Sequence, residues 1–241
     1  MVRICEGPYD GPVTEARAVA VPSAWIREPQ QQRARASLER VLDAGAEVLA
    51  EGGYEAFSIA DVCRRAGVSV GSVYGRVEGK DELFLAVHER EIGRMSAELL
   101  ASLEPGPRWR RLSTESLIPR VVQAYGEHTL AHAGLLRAFV LRAAVDDRVL
   151  VQGSRVNERV ADAFCALLLD RADDYPHRDP ATAVRTAFEL VNDSLLWRLA
   201  FGAELAGSSG SRAPAPSLTD WTHRLAEAAT TYLLTPPVRR R

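Results

Sequence analysis

The chain has 241 residues, enough for one large domain or two modest ones around an apolar core. Its 32 acidic and 30 basic side chains give a net charge of −2, which excludes binding to nucleic acid through bulk positive charge. Any DNA contact must therefore come from a small local patch, helped by helix N-termini and backbone amides.

Residues 1–32 hold four prolines, two of them in Gly-Pro pairs, and no sustained apolar period. The stretch is too polar and interrupted for a secretory signal or a membrane helix, and it reads as a poorly ordered arm. Arg27, Arg33 and Arg35 at its end either track a DNA minor groove or belong to a disordered leader.

From Leu38 to Glu51 the pattern is an amphipathic helix with Val41, Leu42, Val48 and Leu49 inward, ended by Gly52-Gly53-Tyr54. Ser58 opens a second helix, with Asp61 placed to complete a capping box and Ile59, Val62 and Cys63 as its apolar stripe. Gly67 permits the tight turn at Ala66-Gly67-Val68, and Ser69 caps a third, five-residue helix, Val70 to Tyr74. Two short helices meeting at such a turn can present the second to a major groove. A longer helix follows Gly79, with Asp81 and Glu82 in its first turn, where the helix dipole favours acids. Between Val62 and Lys80, the cations Arg64, Arg65, Arg76 and Lys80 are opposed only by Glu78.

The run LDAGAEVLAEGGYEAFSIADVCRRAGVSVGSVYGRVEGKDELFLAV closely resembles the N-terminal DNA-binding domain of tetracycline-repressor-type (TetR family) regulators, over roughly residues 35–95. The resemblance implies an all-α, homodimeric, ligand-responsive transcription factor: a helix-turn-helix domain at 33–95, a ligand-binding and dimerisation domain at 96–235, and a basic tail at 236–241. This chain departs from the family in having Val77 where an aromatic is usual, Gly75 where a large or basic residue is common, and Val70 where many members carry lysine. Its reading helix is thus nearly uncharged.

The DNA-binding candidates are Arg64, Ser69, Val70, Gly71, Ser72, Tyr74, Arg76 and Lys80. By the resemblance, Lys80, the only lysine in the chain, contacts a backbone phosphate; otherwise it is an exposed lysine without a partner. Tyr74 either gives its hydroxyl to a phosphate or packs as a partly buried aromatic. Ser72 is a hydroxyl contact or a solvent-facing serine, Ser69 is first a cap, and Val70 could touch a thymine methyl. Of Arg64 and Arg65, one reaches a phosphate and the other is solvated or paired.

Beyond residue 95 the chain stays helical. Helices are predicted to finish at Leu103 before Glu104-Pro105-Gly106-Pro107, and to span Leu117–Ala131, Gly134–Val145, about 148–171, Ala181–Leu205 and Leu218–Leu234, with a Gly/Ser/Pro linker from Ala206 to Pro216. The resemblance implies that 148–171 and 181–205 build the dimer interface, with a face of Val156, Val160, Phe164, Leu195 and Leu199. Candidate ligand-lining residues are Trp109, Tyr125, His128, Phe139, Phe188, Asn192 and Trp197; for all but His128, ordinary core packing is the default reading.

His128 and His132 share one helix face at a spacing that divalent metals use, but no third ligand is evident nearby. They are read as pocket wall or surface, and no metal or other cofactor is assigned. Cys5, Cys63 and Cys165 suggest no disulfide framework and a reducing cytoplasm. With no phosphate loop, nucleophile elbow or paired-cysteine motif, no catalytic residue is assigned. The sequence supports a cytoplasmic DNA-binding repressor that leaves a double-stranded operator when a small hydrophobic effector binds, with no membrane partner. The alternatives are an activator, a regulator controlled by a protein partner, or a helical binding module or enzyme with a decayed DNA-binding domain.

Overall fold

The computed structural model describes Trp25, residues 32–202 and residues 216–237, and every regular element among them is helical. The linker from Ala206, the Arg239–Arg241 tail, Arg27 and the Arg33 side chain lie outside the described residues. No helix among them is long and apolar enough to cross a membrane.

Helix α1 (Gln32–Ala56) is broken at Gly53, whose φ of 66° belongs to the left-handed region that favours glycine. Ser58 begins α2 (Ile59–Ala66) by accepting the Asp61 amide at 3.1 Å. The expected reciprocal half of a capping box is not made. The Asp61 carboxylate turns instead to Arg64 and Arg65, because two guanidiniums one turn away are stronger partners than a single amide. Gly67, at φ 64°, closes α2 and leads to α3 (Val70–Tyr74), which Ser69 caps through the Ser72 amide.

Helix α4 (Lys80–Leu103) runs out of this unit into the rest of the molecule. It is followed by α5 (Pro107–Arg110), absent from the sequence expectation, then α6 (Thr114–Ala131), α7 (Ala133–Ala143), α8 (Asp147–Leu169), α9 (Pro180–Phe201) and α10 (Leu218–Leu234).

The core has two parts. The first joins α1, α2, α3 and the start of α4, with Phe57, Val73 and the fully buried Val77 in it; α7 contributes Leu135, Ala138 and Phe139. Phe84 is its hub, with ring centroids 5.3 Å from Tyr54, 6.2 Å from Phe57 and 6.1 Å from Phe139. The second core joins the end of α4 to α6, α8, α9 and α10 around Phe164, Phe188 and Leu195. Thus α7, which the sequence places with the C-terminal region, packs on the helix-turn-helix unit. Trp25, in the stretch read as a loose arm, also packs against the first core, with the Arg148 guanidinium 5.6 Å from its ring.

The contact between α1 and α7 is close because Gly134 has no side chain. A Cβ there would stand 2.5 Å from the Ala50 carbonyl oxygen. Gly134→Ala is therefore expected to lower stability by about 1–3 kcal/mol through overpacking against backbone. Gly93→Ala, on the exposed side of α4 with nothing within 4 Å, should raise it by about 0.8–1 kcal/mol. Urea unfolding of both variants checks the sign difference.

Candidate functional site

Two sites lie along α4, one at its start and one beside its middle. At the first, α3 stands outward: Val73 alone is buried, while Val70 is 41% and Tyr74 56% exposed. Gly71 and Ser72 complete the open face, and a Cβ on Gly71 would meet nothing within 4 Å. Ser69 and Ser72 also serve the fold: Ser69 caps, and the Ser72 hydroxyl donates to the Ser69 carbonyl at 2.7 Å. Any contact they make outside the chain competes with these bonds.

The cations divide by role. Arg65 clamps α2 to α1 through Glu51 at 2.7 Å and also pairs with Asp61 at 3.3 Å, so it is structural. Arg64 projects outward beside Asp61, and Arg76 is half-buried along a shallow crevice with Ser37 and Ser72. Lys80 is half-buried at the start of α4, its Nζ 4.1 Å from the centre of the Tyr54 ring. The sequence reading counts four cations against Glu78 alone. Folding adds Glu51 and Asp61, carboxylates that lie outside the window compared, so the positive patch is smaller than the sequence suggests.

Tyr54 links this corner to α7. Its hydroxyl donates to Asp81, and burial raises its pKa to about 12, so it remains a donor. On the ring lies the guanidinium of Arg142, 3.9 Å from the centroid, which also pairs with Asp81 at 3.6 Å and Asp146 at 3.2 Å. Asp146 caps α8 and also receives Arg148, whose hydrogen bonds hold its pKa down to about 2. Nothing in the sequence pattern around Arg142 signals this junction.

The second site is a cavity of about 690 Å³ between α4, α6, α7, α8 and α9. That volume suits a ligand of drug or metabolite size. Of the sequence candidates, Tyr125, His128, Phe139 and Asn192 line it. Trp109 and Phe188 do not; both are consumed by the second core. Trp197 is 51% exposed on the outside of α9, because its turn of the helix faces away from both cores. Lining residues that aromatic content could not flag include His88, Met95, Leu136 and Val149. Most are aliphatic and fall on α4 or α8, where a core stripe and a cavity wall have the same period.

Two polar features stand in this wall. The Tyr125 hydroxyl donates to Asn192 at 2.7 Å, deep in the protein. His88 is fully buried, with Nδ1 3.0 Å from the Gln152 side-chain oxygen and Nε2 without a partner among the described residues. With Nδ1–H donating to Gln152, Nε2 keeps a lone pair to offer.

The chain's similarities agree with this geometry. Residues 41–87 match the family of bacterial regulatory proteins, tetR family. A stretch of 128 residues is 31% identical to the HTH-type transcriptional repressor KstR of Mycolicibacterium smegmatis, covering 53% of this chain and 60% of that protein. The chain thus spans less than two thirds of the length of this relative.

Among solved structures, a TetR-family regulator from Mesorhizobium loti superposes with a TM-score of 0.60 at 18% identity, covering 85% of this chain and 98% of that one. FadR from Bacillus subtilis, solved in complex with stearoyl-CoA, gives 0.58 at 12% identity, with 81% and 98% covered. At such identities these two establish the fold alone. The segment that matches, residues 41–87, is the one that forms the helix-turn-helix on this all-helical body.

Burial holds the His88 pKa down at about 4, against 6.5 when exposed. The unfolded chain therefore takes up a proton below pH 6.5 that the folded chain refuses until pH 4. The stability that neutral His88 contributes is whole above pH 6.5 and is lost as pH falls toward 4, by about 3 kcal/mol. In His88→Leu, unfolding free energy measured across this window should fall less steeply by that amount. An unchanged pH dependence would mean that His88 titrates normally in the fold.

Proposed function

We propose that the chain is a transcriptional repressor: a homodimer that holds operator DNA with α3 and releases it when an apolar effector fills the cavity. The observation that carries the reading is the open face of Val70, Gly71, Ser72 and Tyr74 inside the segment that matches the family. Arg64, Arg76 and Lys80, around that face, are assigned to phosphates. Ser69 and Ser72 supply hydroxyls at its edge, and Val70 and Gly71 lie closest to base edges. Few charges at the face imply modest non-specific affinity, so sequence preference rests on fit.

Dimerisation answers a geometric need, since two copies of α3 must reach successive major grooves about 34–36 Å apart. Most of the apolar face expected at the interface is used inside the subunit. Val160, Phe164 and Leu195 are buried within the monomer, and Val156 lines the cavity, because the richest apolar stripes of α8 and α9 face their own core. The exposed apolar row on α9 is Leu190, Trp197 and Phe201, with Leu190 59% exposed. This row is assigned to the partner subunit.

Fluorescence anisotropy with duplex DNA from upstream of the chain's own gene tests the assignment. Two chains per duplex, a clear preference over scrambled DNA, and weaker binding by Tyr74→Phe and Lys80→Ala are expected. Lys80→Ala should also reduce the slope of log affinity against log salt by about one. Trp197→Glu should give monomers by light scattering and lose most of the affinity. If wild type shows no sequence preference, the DNA-reading assignment fails.

An effector with an apolar body and one hydrogen-bond donor for His88 fits the cavity best. The stearoyl-CoA held by Bacillus subtilis FadR makes fatty acids and their CoA thioesters a reasonable first panel. Binding to the folded state must raise thermal stability, by about 2.7 kcal/mol at one hundred times Kd.

Four cavity residues lie on α7: Leu136, Phe139, Val140 and Ala143 flank Arg142, which rests on Tyr54. A ligand that shifts α7 therefore shifts Tyr54 and the start of α4. Arg142→Met should keep effector affinity within about threefold while cutting the effector's influence on DNA affinity, which is typically 5–150-fold in such systems. Retention of the full effect would remove Arg142 from the relay.

A further inference from the structure

His128 and His132 lie one turn apart at the C-terminal end of α6, their ring centroids 4.6 Å from each other. In sequence they lack a third ligand. The fold supplies one from α4: Glu98, whose carboxylate oxygen is 3.1 Å from His132 Nε2. One ligand atom from each of the three residues lies within 4.8 Å of the other two. We infer that Glu98, His128 and His132 form a binding site for a single divalent transition-metal ion of the zinc type.

The donor set is two imidazoles and one carboxylate, which suits zinc and its neighbours and is a poor match for magnesium or calcium. Three protein ligands leave a fourth position for water. Around a tetrahedral zinc with bonds of about 2.0–2.1 Å, ligand atoms stand about 3.3 Å apart, so contraction by an ångström or so closes the site. The side chains are free to make that adjustment, since Glu98 is exposed and the histidines are half-buried.

Neighbouring groups are arranged around the ligands as supporting partners. Arg94 donates to Oε1 of Glu98 at 3.0 Å, leaving Oε2 for the ion. Arg94 bridges Glu98 and Glu91, and its pairing with Glu91 at 2.7 Å partly offsets the positive charge that it brings near the ion.

The location gives such an ion a mechanical consequence. Glu98 belongs to α4, His128 to α6, and His132 is the residue at which α6 ends and α7 begins. Two residues on, Gly134 rests against the backbone of α1. A bound ion would pin α4, α6 and the root of α7 together, next to the cavity that His128 also lines. The site does not depend on the proposed function, because metal binding is read without DNA or effector.

The test is titration of the tag-free, metal-stripped full chain with Co²⁺. One equivalent per chain should produce visible d–d absorption, and Zn²⁺ should abolish it by displacement. His128→Ala and His132→Ala should each weaken binding by more than the roughly 10–100-fold that loss of a mere supporting group costs, with Glu98→Gln weaker by at least tenfold. X-ray absorption of the zinc-loaded wild type, which needs no variant to fold, should show two imidazoles and only oxygen besides. Absence of a Co²⁺ spectrum, sulfur in the coordination shell, or full binding by the double histidine variant would each overturn the assignment.

Discussion

One helix belongs to two cores, and most of what this molecule can do follows from that. The first turns of α4 are locked into the helix-turn-helix unit by Leu83, Phe84 and Val87, while Leu99 and Leu103 are part of the second core. Between them, His88, Ile92, Met95 and Ser96 line the cavity. A continuous α-helix transmits displacement because its hydrogen-bonded backbone does not stretch, and close-packed cores have discrete arrangements rather than continuous ones. Whatever occupies the cavity must therefore be felt where α4 meets α1 and α3.

The polar contacts along α4 reinforce this. Glu91 is buried and receives Arg90 at 2.6 Å and Arg94 at 2.7 Å; Arg90 reaches on to Asp43 of α1 at 2.9 Å. A buried carboxylate without partners would be costly, so the network holds α4 and α1 in one register. The second route runs through α7, where Gly134 allows backbone contact with Ala50 and Arg142 covers Tyr54. Two independent contacts between the cavity side and the DNA-reading side make the relation between them stiff.

What the sequence revealed, and what it did not, divides along local and non-local physics. The caps at Ser58 and Ser69, the turn at Gly67 and the outward face of α3 depend on residues within four positions of one another, and each was readable. The packing of α7 on α1, the clamp of Arg65 on Glu51, the Tyr54–Arg142 junction and the approach of Glu98 to His132 join residues 14 to 88 positions apart, which no periodicity encodes. The aromatic residues misled for a related reason. Trp109 and Phe188 fill the core because large rings gain most from full burial, whereas the cavity is walled mainly by aliphatic chains. The stripe expected to face a partner is spent likewise: Val160, Phe164 and Leu195 are buried within their own subunit, and the sparser row of Leu190, Trp197 and Phe201 is left outside.

The lack of charge on α3 bears on how control could work. A reader that binds chiefly through many phosphate contacts holds DNA across a range of geometries, because each contact is long-ranged and adjustable. Here the face offers Val70, Gly71, Ser72 and Tyr74, whose contacts are short-ranged and tolerate little misalignment. With Arg65 withdrawn into the fold and Lys80 drawn over Tyr54, few adjustable contacts remain to compensate for a tilt. In the proposed repressor, a small rotation of α4 is thus enough to spoil the fit at both half-sites together. Under that proposal weak charge and a stiff linkage are complementary: the first makes binding sensitive to angle, and the second lets the cavity set that angle.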